Sequence, residues 1–183
     1  EYGKHSYTYY TDLQEDHHAL ACVNYLTEIG AMVGSGDNKF RPNDPISPIE
    51  AAKVIFDSLG YGWYAQCKGG YPSAYVDFAD ETGLLDGFAK TGDVTREELT
   101  VILLRAGFIR KYSNMKGEQQ EQTVFSSVWD IYDQKGIVES ANGVSIVDSG
   151  FNKMDTTQIG DTIYDNGQMN TDKFLGRYVR AIT

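Results

Sequence analysis

Cysteine, histidine and proline are scarce in this chain, and their scarcity excludes several kinds of site. The 183 residues include 2 Cys, 3 His and 4 Pro. Cys22 and Cys67 lie too far apart for a CxxC redox or zinc motif, and the histidines form no HExxH motif. The sequence therefore predicts no zinc site. The two cysteines either pair as a disulfide or remain two separate half-buried thiols, and their spacing leaves both alternatives open.

Positive charge and long apolar runs are also in short supply. The chain has 16 Lys and Arg against 26 Asp and Glu, a formal net charge of -10. Repulsion therefore disfavours non-specific binding to nucleic acid or anionic lipid. No apolar run reaches the ~18 residues that cross a bilayer, so we expect no membrane insertion. The chain is instead rich in Tyr, with 13 residues, a surplus that suits a surface contacting carbohydrate or protein.

Motifs of common enzyme classes are missing as well. The sequence has no GxSxG, P-loop or GxGxxG motif. The acidic and amide residues of segment 37–44 fail the EF-hand spacing and are better explained as turn formers. We therefore predict a protein with no catalytic residues, no cofactor and no metal.

Two amphipathic helices are predicted in the first 60 residues. The first has apolar residues at helical spacing, with Asp16 as a possible start and Gly30 as its stop. The second begins after Ser47, which together with Glu50 has the spacing of a capping box. The segment between them is dense in turn-forming residues and predicts an ordered loop around Phe40.

The same pattern returns in residues 61–110. A helix over residues 71–82 is predicted to end at Gly83, and Thr95 and Glu98 form a second capping box. Segment 83–87 parallels segment 30–34. Residues 1–110 are therefore predicted to form a helical domain of two helix-loop-helix repeats, at about 7–60 and 61–110.

The pattern changes after residue 110. The polar stretch 111–122 is predicted to be a linker, and 123–132 is ambiguous between strand and helix. Short β-type runs follow, separated by turn signals at Asn142-Gly143 and Gly150. We predict an α+β fold whose small β-rich domain occupies residues 123–183. Its last run is still strand-like at residue 183, and we expect the chain to be the front part of a longer protein.

Four motifs give the chain a resemblance to the S-layer homology repeats of bacterial surface proteins, especially those near the N-terminus of clostridial and other Firmicutes proteins. The motifs are Tyr10-Thr11-Asp12, Gly30-Ala31-Met32-Val33-Gly34, Lys39-Phe40-Arg41-Pro42 and Thr95-Arg96-Glu97-Glu98. The resemblance implies a non-catalytic extracellular protein, associated with the cell wall or S-layer, that binds a pyruvylated secondary cell-wall polysaccharide. The glycan-binding residues that it implies are Arg96, Asp12, Lys39, Phe40, Arg41 and Gly34.

Arg96 is the strongest of these candidates on physical grounds. Ser47, Glu50, Thr95 and Glu98 are explained as helix caps alone. A cation in the first turn opposes the helix dipole, so Arg96 needs another reason, either an acidic ligand or an ion pair with a neighbouring acid. The first repeat has Pro48 where the family has Arg, and Lys39 or Arg41 are candidates to replace it.

The number of repeats leaves a second function open. Family repeats work in sets of three, whereas this sequence has two. The alternative function is a structural subunit that uses the repeats for protein contacts in an extracellular lattice, filament or appendage. The partners expected on the two hypotheses are the wall polysaccharide and other surface-protein subunits.

Overall fold

The computed structural model describes residues 7–147 and 154–183, so the turn expected at Gly150 lies outside the described residues. It divides into two compact units, the first ending at Val124 and the second beginning at Phe125. Helices and antiparallel sheets are both present, which confirms the α+β class.

The first unit contains five helices and one hairpin in its described part. The helices are α1 (Leu20–Glu28), α2 (Pro48–Ser58), α3 (Gly62–Cys67), α4 (Ser73–Thr82) and α5 (Arg96–Ala106). The hairpin consists of β1 (Arg110–Ser113) and β2 (Glu118–Thr123). The sequence pattern predicted α1, α2, α4 and α5. Helix α3 was not predicted, because its six residues show no apolar spacing typical of a helix.

Helix α1 is shorter than the sequence predicts, because Asp16 does not start it. Its N-cap position is Ala19, which forms no side-chain cap. The N–H of Ala19 instead donates to Nδ1 of His17 at 3.2 Å, and the N–H of Leu20 donates to the carbonyl of His17. His17, and not Asp16, therefore accepts hydrogen bonds from the backbone N–H groups at the start of α1.

The segment predicted as a linker is part of the first unit. Residues 111–122 form most of the β1–β2 hairpin, and Tyr112 is buried. The N–H of Tyr112 donates to the carbonyl of Leu59 at 2.8 Å, and the hydroxyl of Tyr61 donates to the carbonyl of Arg110 at 2.9 Å. The prediction of a linker is therefore wrong, because strand pairing, the buried Tyr112 and hydrogen bonds to Leu59 and Tyr61 hold these residues within the first unit.

An aromatic cluster forms the centre of this unit. Tyr61 contacts three rings at centroid distances of 5.3 Å, those of Phe56, Phe78 and Tyr112. Phe56, Tyr61 and Phe78 are buried with Leu84 and Ile102 in the main core. A smaller cluster of Tyr10, Leu13, Leu20 and Val23 lies beneath the first loop. Part of the Tyr surplus therefore packs the fold, since Tyr10, Tyr61, Tyr75 and Tyr112 are buried.

The second unit is a small antiparallel sheet preceded by a short helix. Its elements are α6 (Val124–Trp129), β3 (Asp133–Ala141), β4 (Val144–Ser145), β5 (Thr156–Ile159), β6 (Thr162–Asp165), a 3-10 turn at Asp172–Phe174 and β7 (Tyr178–Ile182). The first half of the long strand β3 pairs with β7, and its second half pairs with β4 and β5. The segment that was ambiguous between strand and helix is thus mostly helical.

The turn predicted between β3 and β4 has the expected chemistry. Asn142 and Gly143 have φ values of 47° and 83°, and they connect the paired residues Ala141 and Val144. Two successive positive φ values are the signature of the turn that suits the twist of a two-residue hairpin.

Candidate functional site

Asp12 binds the loop of the first repeat through both of its carboxylate oxygens. Oδ1 accepts the N–H of Phe40 and Oδ2 accepts the N–H of Arg41, each at 2.8 Å. The hydrogen bond from Phe40, with help from that of Arg41, lowers the pKa of Asp12. The structure brings Asp12, Phe40 and Arg41 together, and the contacts of Asp12 position the loop backbone.

Gly34 lies close to Tyr10 and to the loop backbone at Lys39. Its φ is 64°, and an added Cβ would overlap Cε1 of Tyr10 and lie 2.7 Å from the carbonyl oxygen of Lys39. The ring of Tyr10 also contacts Phe40, with centroids 5.3 Å apart. Gly34 therefore lets the loop close over Tyr10, and Phe40 is partly buried in that contact.

The two cations of the loop differ in their surroundings. Nη2 of Arg41 binds Oδ2 of Asp37 at 2.9 Å, and both side chains are exposed. Contact with protein atoms acts to raise the pKa of Asp37, but the hydrogen bond and charge of Arg41 outweigh it and the pKa is lowered. Lys39 is exposed and makes no side-chain hydrogen bond or ion pair within the described residues. Lys39 is thus the cation of this loop that is available to an anionic ligand.

Both helix starts contain a complete capping box. Oγ of Ser47 accepts the N–H of Glu50, and Oε2 of Glu50 accepts the N–H of Ser47 at 2.7 Å. Thr95 and Glu98 repeat this arrangement, with the Glu98 carboxylate 2.8 Å from the Thr95 nitrogen. These four side chains are occupied in starting the helices.

Arg96 occupies the first position of α5, next to the capping box. Its side chain is exposed and makes no hydrogen bond or ion pair with any residue that the structure describes. The ion pair that would have explained Arg96 structurally is thus missing from the described residues. A guanidinium with its donors free of protein partners is suited to a carboxylate or another anion, whereas the helix start itself already holds the carboxylate of Glu98.

One further pair of residues was missed by the sequence reasoning. Nζ of Lys53 donates to the carbonyl of Ala31 at 3.2 Å, and Nη1 of Arg105 donates to the carbonyl of Leu84 at 3.2 Å. Ala31 and Leu84 hold the same place in the two matching loop segments, and both are fully buried. The sequence signal that could have indicated these contacts is a basic residue next to the apolar positions of the second helix in each repeat, Lys53 in α2 and Arg105 in α5.

The remaining predictions about sites concern cysteine, metal and membrane. Cys22 and Cys67 are free and exposed. Among residues 7–147 and 154–183, no group of three or more His, Cys, Asp or Glu is placed to hold a metal ion. Within the same residues, every helix is too short or too polar to cross a membrane.

Residues 9–52 match the family described as the S-layer homology domain. The resemblance to S-layer homology repeats is confirmed. The match covers Tyr10, Asp12, the loop through Arg41 and the start of α2. The loop held by Asp12 and the first capping box therefore lie within the segment that matches the S-layer homology domain.

Curated relatives extend the similarity over more of the chain. A cell surface protein of Thermoanaerobacter kivui is 28% identical over 111 residues, covering 58% of this chain and 14% of the relative. An S-layer protein of Bacillus thuringiensis subsp. finitimus and the S-layer protein sap of Bacillus anthracis are each 23% identical over 108 residues, covering 53% of this chain and 13% of each relative. The chain thus spans about one seventh of the length of the relatives that it matches.

Proposed function

We propose that this protein is a non-catalytic cell-surface protein that attaches to the bacterial wall by binding secondary cell-wall polysaccharide through two S-layer homology repeats, 7–60 and 61–110. The S-layer homology match at residues 9–52 is the observation that carries the proposal. The relatives named as cell surface and S-layer proteins support an extracellular location.

Arg96 is the residue on which we base the binding of an acidic sugar. A guanidinium presents several donors in a fixed plane, which matches the two oxygens of a carboxylate such as that of a pyruvyl group. Thr95 and Glu98 hold the adjacent helix start in place. The side chain of Arg96 forms no ion pair among the described residues, although Glu97 and Glu98 follow it in the first turn.

The first repeat needs a different cation, because Pro48 occupies the position that corresponds to Arg96. Lys39 is exposed on the loop that Asp12 fastens, and Arg41 lies beside it with Asp37 as its partner. We assign Lys39 the main role at this second glycan contact. Phe40, Arg41 and Gly34 then shape the loop that presents Lys39.

Pull-down with purified cell-wall sacculi tests this proposal. We expect the protein to sediment with native sacculi, to sediment less after the pyruvylated polymer is removed, and to lose about tenfold in affinity with Arg96→Ala, the size of effect typical for a charged hydrogen-bonded contact. Lys116→Ala removes one exposed charge from the hairpin and serves as the matched control. Binding that is unchanged by polymer removal and by Arg96→Ala would overturn the proposal.

An exposed apolar surface on α5 favours a second candidate function. Leu103 and Leu104 are 53% and 57% exposed, and Val101 lies one turn before Leu104. Apolar residues grouped in this way are typical of protein contacts. The repeats would then connect copies of this chain in a lattice, filament or appendage.

Sedimentation velocity without wall material separates the two candidates. The lattice hypothesis predicts association that rises with protein concentration and is weakened by Leu104→Ser, whereas Ile163→Ser, an exposed apolar position in the second unit, leaves it unchanged. A monomer at all concentrations would remove the second candidate.

A further inference from the structure

Two asparagines of the second unit are each followed by glycine, and their side chains contact each other. Asn142-Gly143 forms the turn between β3 and β4, and Asn166-Gly167 comes directly after β6. Nδ2 of Asn166 donates to Oδ1 of Asn142 at 2.9 Å. An asparagine before glycine can cyclise, because glycine has no Cβ to crowd the attack of its backbone nitrogen on the asparagine side chain. The contacts of the two pairs determine which of them is activated for this reaction.

The backbone nitrogen of Gly167 has a carboxylate as its partner. Its N–H donates to Oδ1 of Asp165 at 2.8 Å, and both residues are exposed. The N–H of Asn166 donates to the carbonyl of Asp155, and the carbonyl of Asn166 accepts the N–H of Met169, each at 2.8 Å. The backbone of Asn166 is therefore held in place. A carboxylate in hydrogen-bond contact with the proton to be removed meets the geometric requirement for a general base.

A hydroxyl group contacts the side-chain carbonyl of Asn166. Oγ1 of Thr157 donates to Oδ1 of Asn166 at 2.5 Å, and Oγ1 of Thr171 lies 2.6 Å from Oγ1 of Thr157. Both threonines are buried. Since a hydroxyl carries one proton, Thr171 can donate to Thr157 while Thr157 donates to Asn166. A donor fixed on the oxygen where negative charge develops stabilises a tetrahedral intermediate, as an oxyanion hole does.

Asn142 has the same covalent chemistry but different contacts. Its Oδ1 accepts an amide N–H from Asn166 instead of a hydroxyl, and its Nδ2 donates to Oδ1 of Asp172 at 2.6 Å. Within residues 7–147 and 154–183, no carboxylate accepts the N–H of Gly143. The pair Asn142-Gly143 therefore serves as an internal reference, without the base and the hydroxyl that accompany Asn166.

We propose that the second unit promotes the deamidation of its own Asn166. Asp165 takes the proton from the backbone nitrogen of Gly167, this nitrogen forms a bond to Cγ of Asn166, and the bond from Cγ to Nδ2 breaks. Asp165 returns the proton to the departing nitrogen, which leaves as ammonia. Water then opens the cyclic succinimide at either carbonyl and gives an aspartyl or an isoaspartyl residue at position 166. Water is the co-reactant, and nothing is oxidised or reduced.

The product changes the contacts between the two side chains. A carboxylate at position 166 places an acceptor against Oδ1 of Asn142, where an N–H donated before. It also adds a negative charge beside Asp165. We therefore expect the modification to break the side-chain contact between the end of β6 and the β3–β4 turn. This proposal concerns the second unit and does not rest on wall binding.

Mass spectrometry of tryptic peptides after incubation of the full chain tests the proposal. The two asparagines fall on separate peptides, 136–153 and 154–173, and water enriched in heavy oxygen marks the residues that are converted during the incubation. We expect Asn166 to convert about tenfold faster than Asn142 in the folded chain. In the urea-unfolded chain we expect equal rates, because the surrounding contacts are then lost.

Variants assign the effect to the two activating groups. Asp165→Ser keeps a hydrogen-bond acceptor but removes the base, and should slow conversion of Asn166 about tenfold. Asp161→Ser, at another exposed aspartate of the same unit, is the matched control and should leave the rate unchanged. Thr157→Val should slow conversion about tenfold, and Thr157→Ser should retain the rate because it keeps the hydroxyl. Circular dichroism checks that each variant is folded.

Equal rates for Asn166 and Asn142 in the folded chain would overturn the proposal. A rate at Asn166 that is the same in the unmodified chain and in Asp165→Ser would overturn it as well. Asp165 is exposed, so this second result does not depend on repacking the core.

Discussion

At the scale of single residues, the first repeat depends on two residues that were candidates for ligand contact. Asp12 binds two backbone amides of the loop, and Gly34 allows the loop to approach Tyr10. Both residues would act on the proposed glycan contact through the loop, by fixing the position of Lys39. We therefore expect substitutions at these positions to lower the unfolding free energy more than they change direct contacts with a ligand.

Gly34→Ala should destabilise the first unit by more than about 2 kcal/mol, because it combines a left-handed φ with overlap against Tyr10. Urea unfolding followed by the helical circular dichroism signal measures this. Gly36→Ala is the matched control, since Gly36 also has a positive φ, 81°, but its added Cβ would meet nothing within 4 Å. Equal losses for the two variants would show that the loop does not close over Tyr10.

Asp12 should make the stability of the first unit depend on pH. Its folded-state pKa is lowered, so its contribution is complete above the unfolded value of about 3.9 and is lost as pH falls through the folded value. Asp12→Asn should remove this component and flatten the curve of unfolding midpoint against pH on the acid side. Asp37 titrates in the same window, so Asp37→Asn is measured in parallel. A curve with unchanged slope for Asp12→Asn would contradict the proposed carboxylate–amide contacts.

At the scale of elements, the two capping boxes fix where α2 and α5 begin. Both have the same geometry, with the side-chain oxygen accepting at the third helical residue and the Glu reaching back. These helices carry much of the buried stripe of the first unit. The start of each helix thus determines which of its residues face the core.

Ser47→Ala and Thr95→Ala should each cost about 1 kcal/mol of unfolding free energy, the usual value for removing an N-cap. Thermal or urea unfolding measures the loss. Thr100→Ala is the control within α5, because this exposed Thr donates only to the carbonyl of Arg96 and Ala has the higher helix propensity. A loss at Thr100 as large as that at Thr95 would show that capping is not what stabilises the start of α5.

The sequence predicted those elements whose signals are local. Capping residues, the stop at Gly83 and the Asn142-Gly143 turn all act within a few residues, and the structure contains them. Helix α3 and the β1–β2 hairpin were missed because their stability comes from distant partners, such as Tyr112 on the aromatic cluster. The roles of Lys53 and Arg105 were missed for the same reason, since each binds a carbonyl about 20 residues earlier.

At the scale of the whole molecule, net charge and local charge act in opposite directions. A chain of formal charge -10 repels an anionic wall polymer, so attraction must come from a few exposed cations. Arg96 and Lys39 are the candidates, because both are exposed and neither forms an ion pair within the described part of the chain, although the charge of Lys39 also acts on Asp12.

The most direct measurement of the central claim is the affinity of the protein for purified secondary cell-wall polysaccharide, determined by titration calorimetry for the unmodified chain, Arg96→Ala and Lys116→Ala. We predict saturable binding that weakens about tenfold with Arg96→Ala and is unchanged with Lys116→Ala. Absence of binding, or equal affinities for the three proteins, would contradict wall attachment through Arg96.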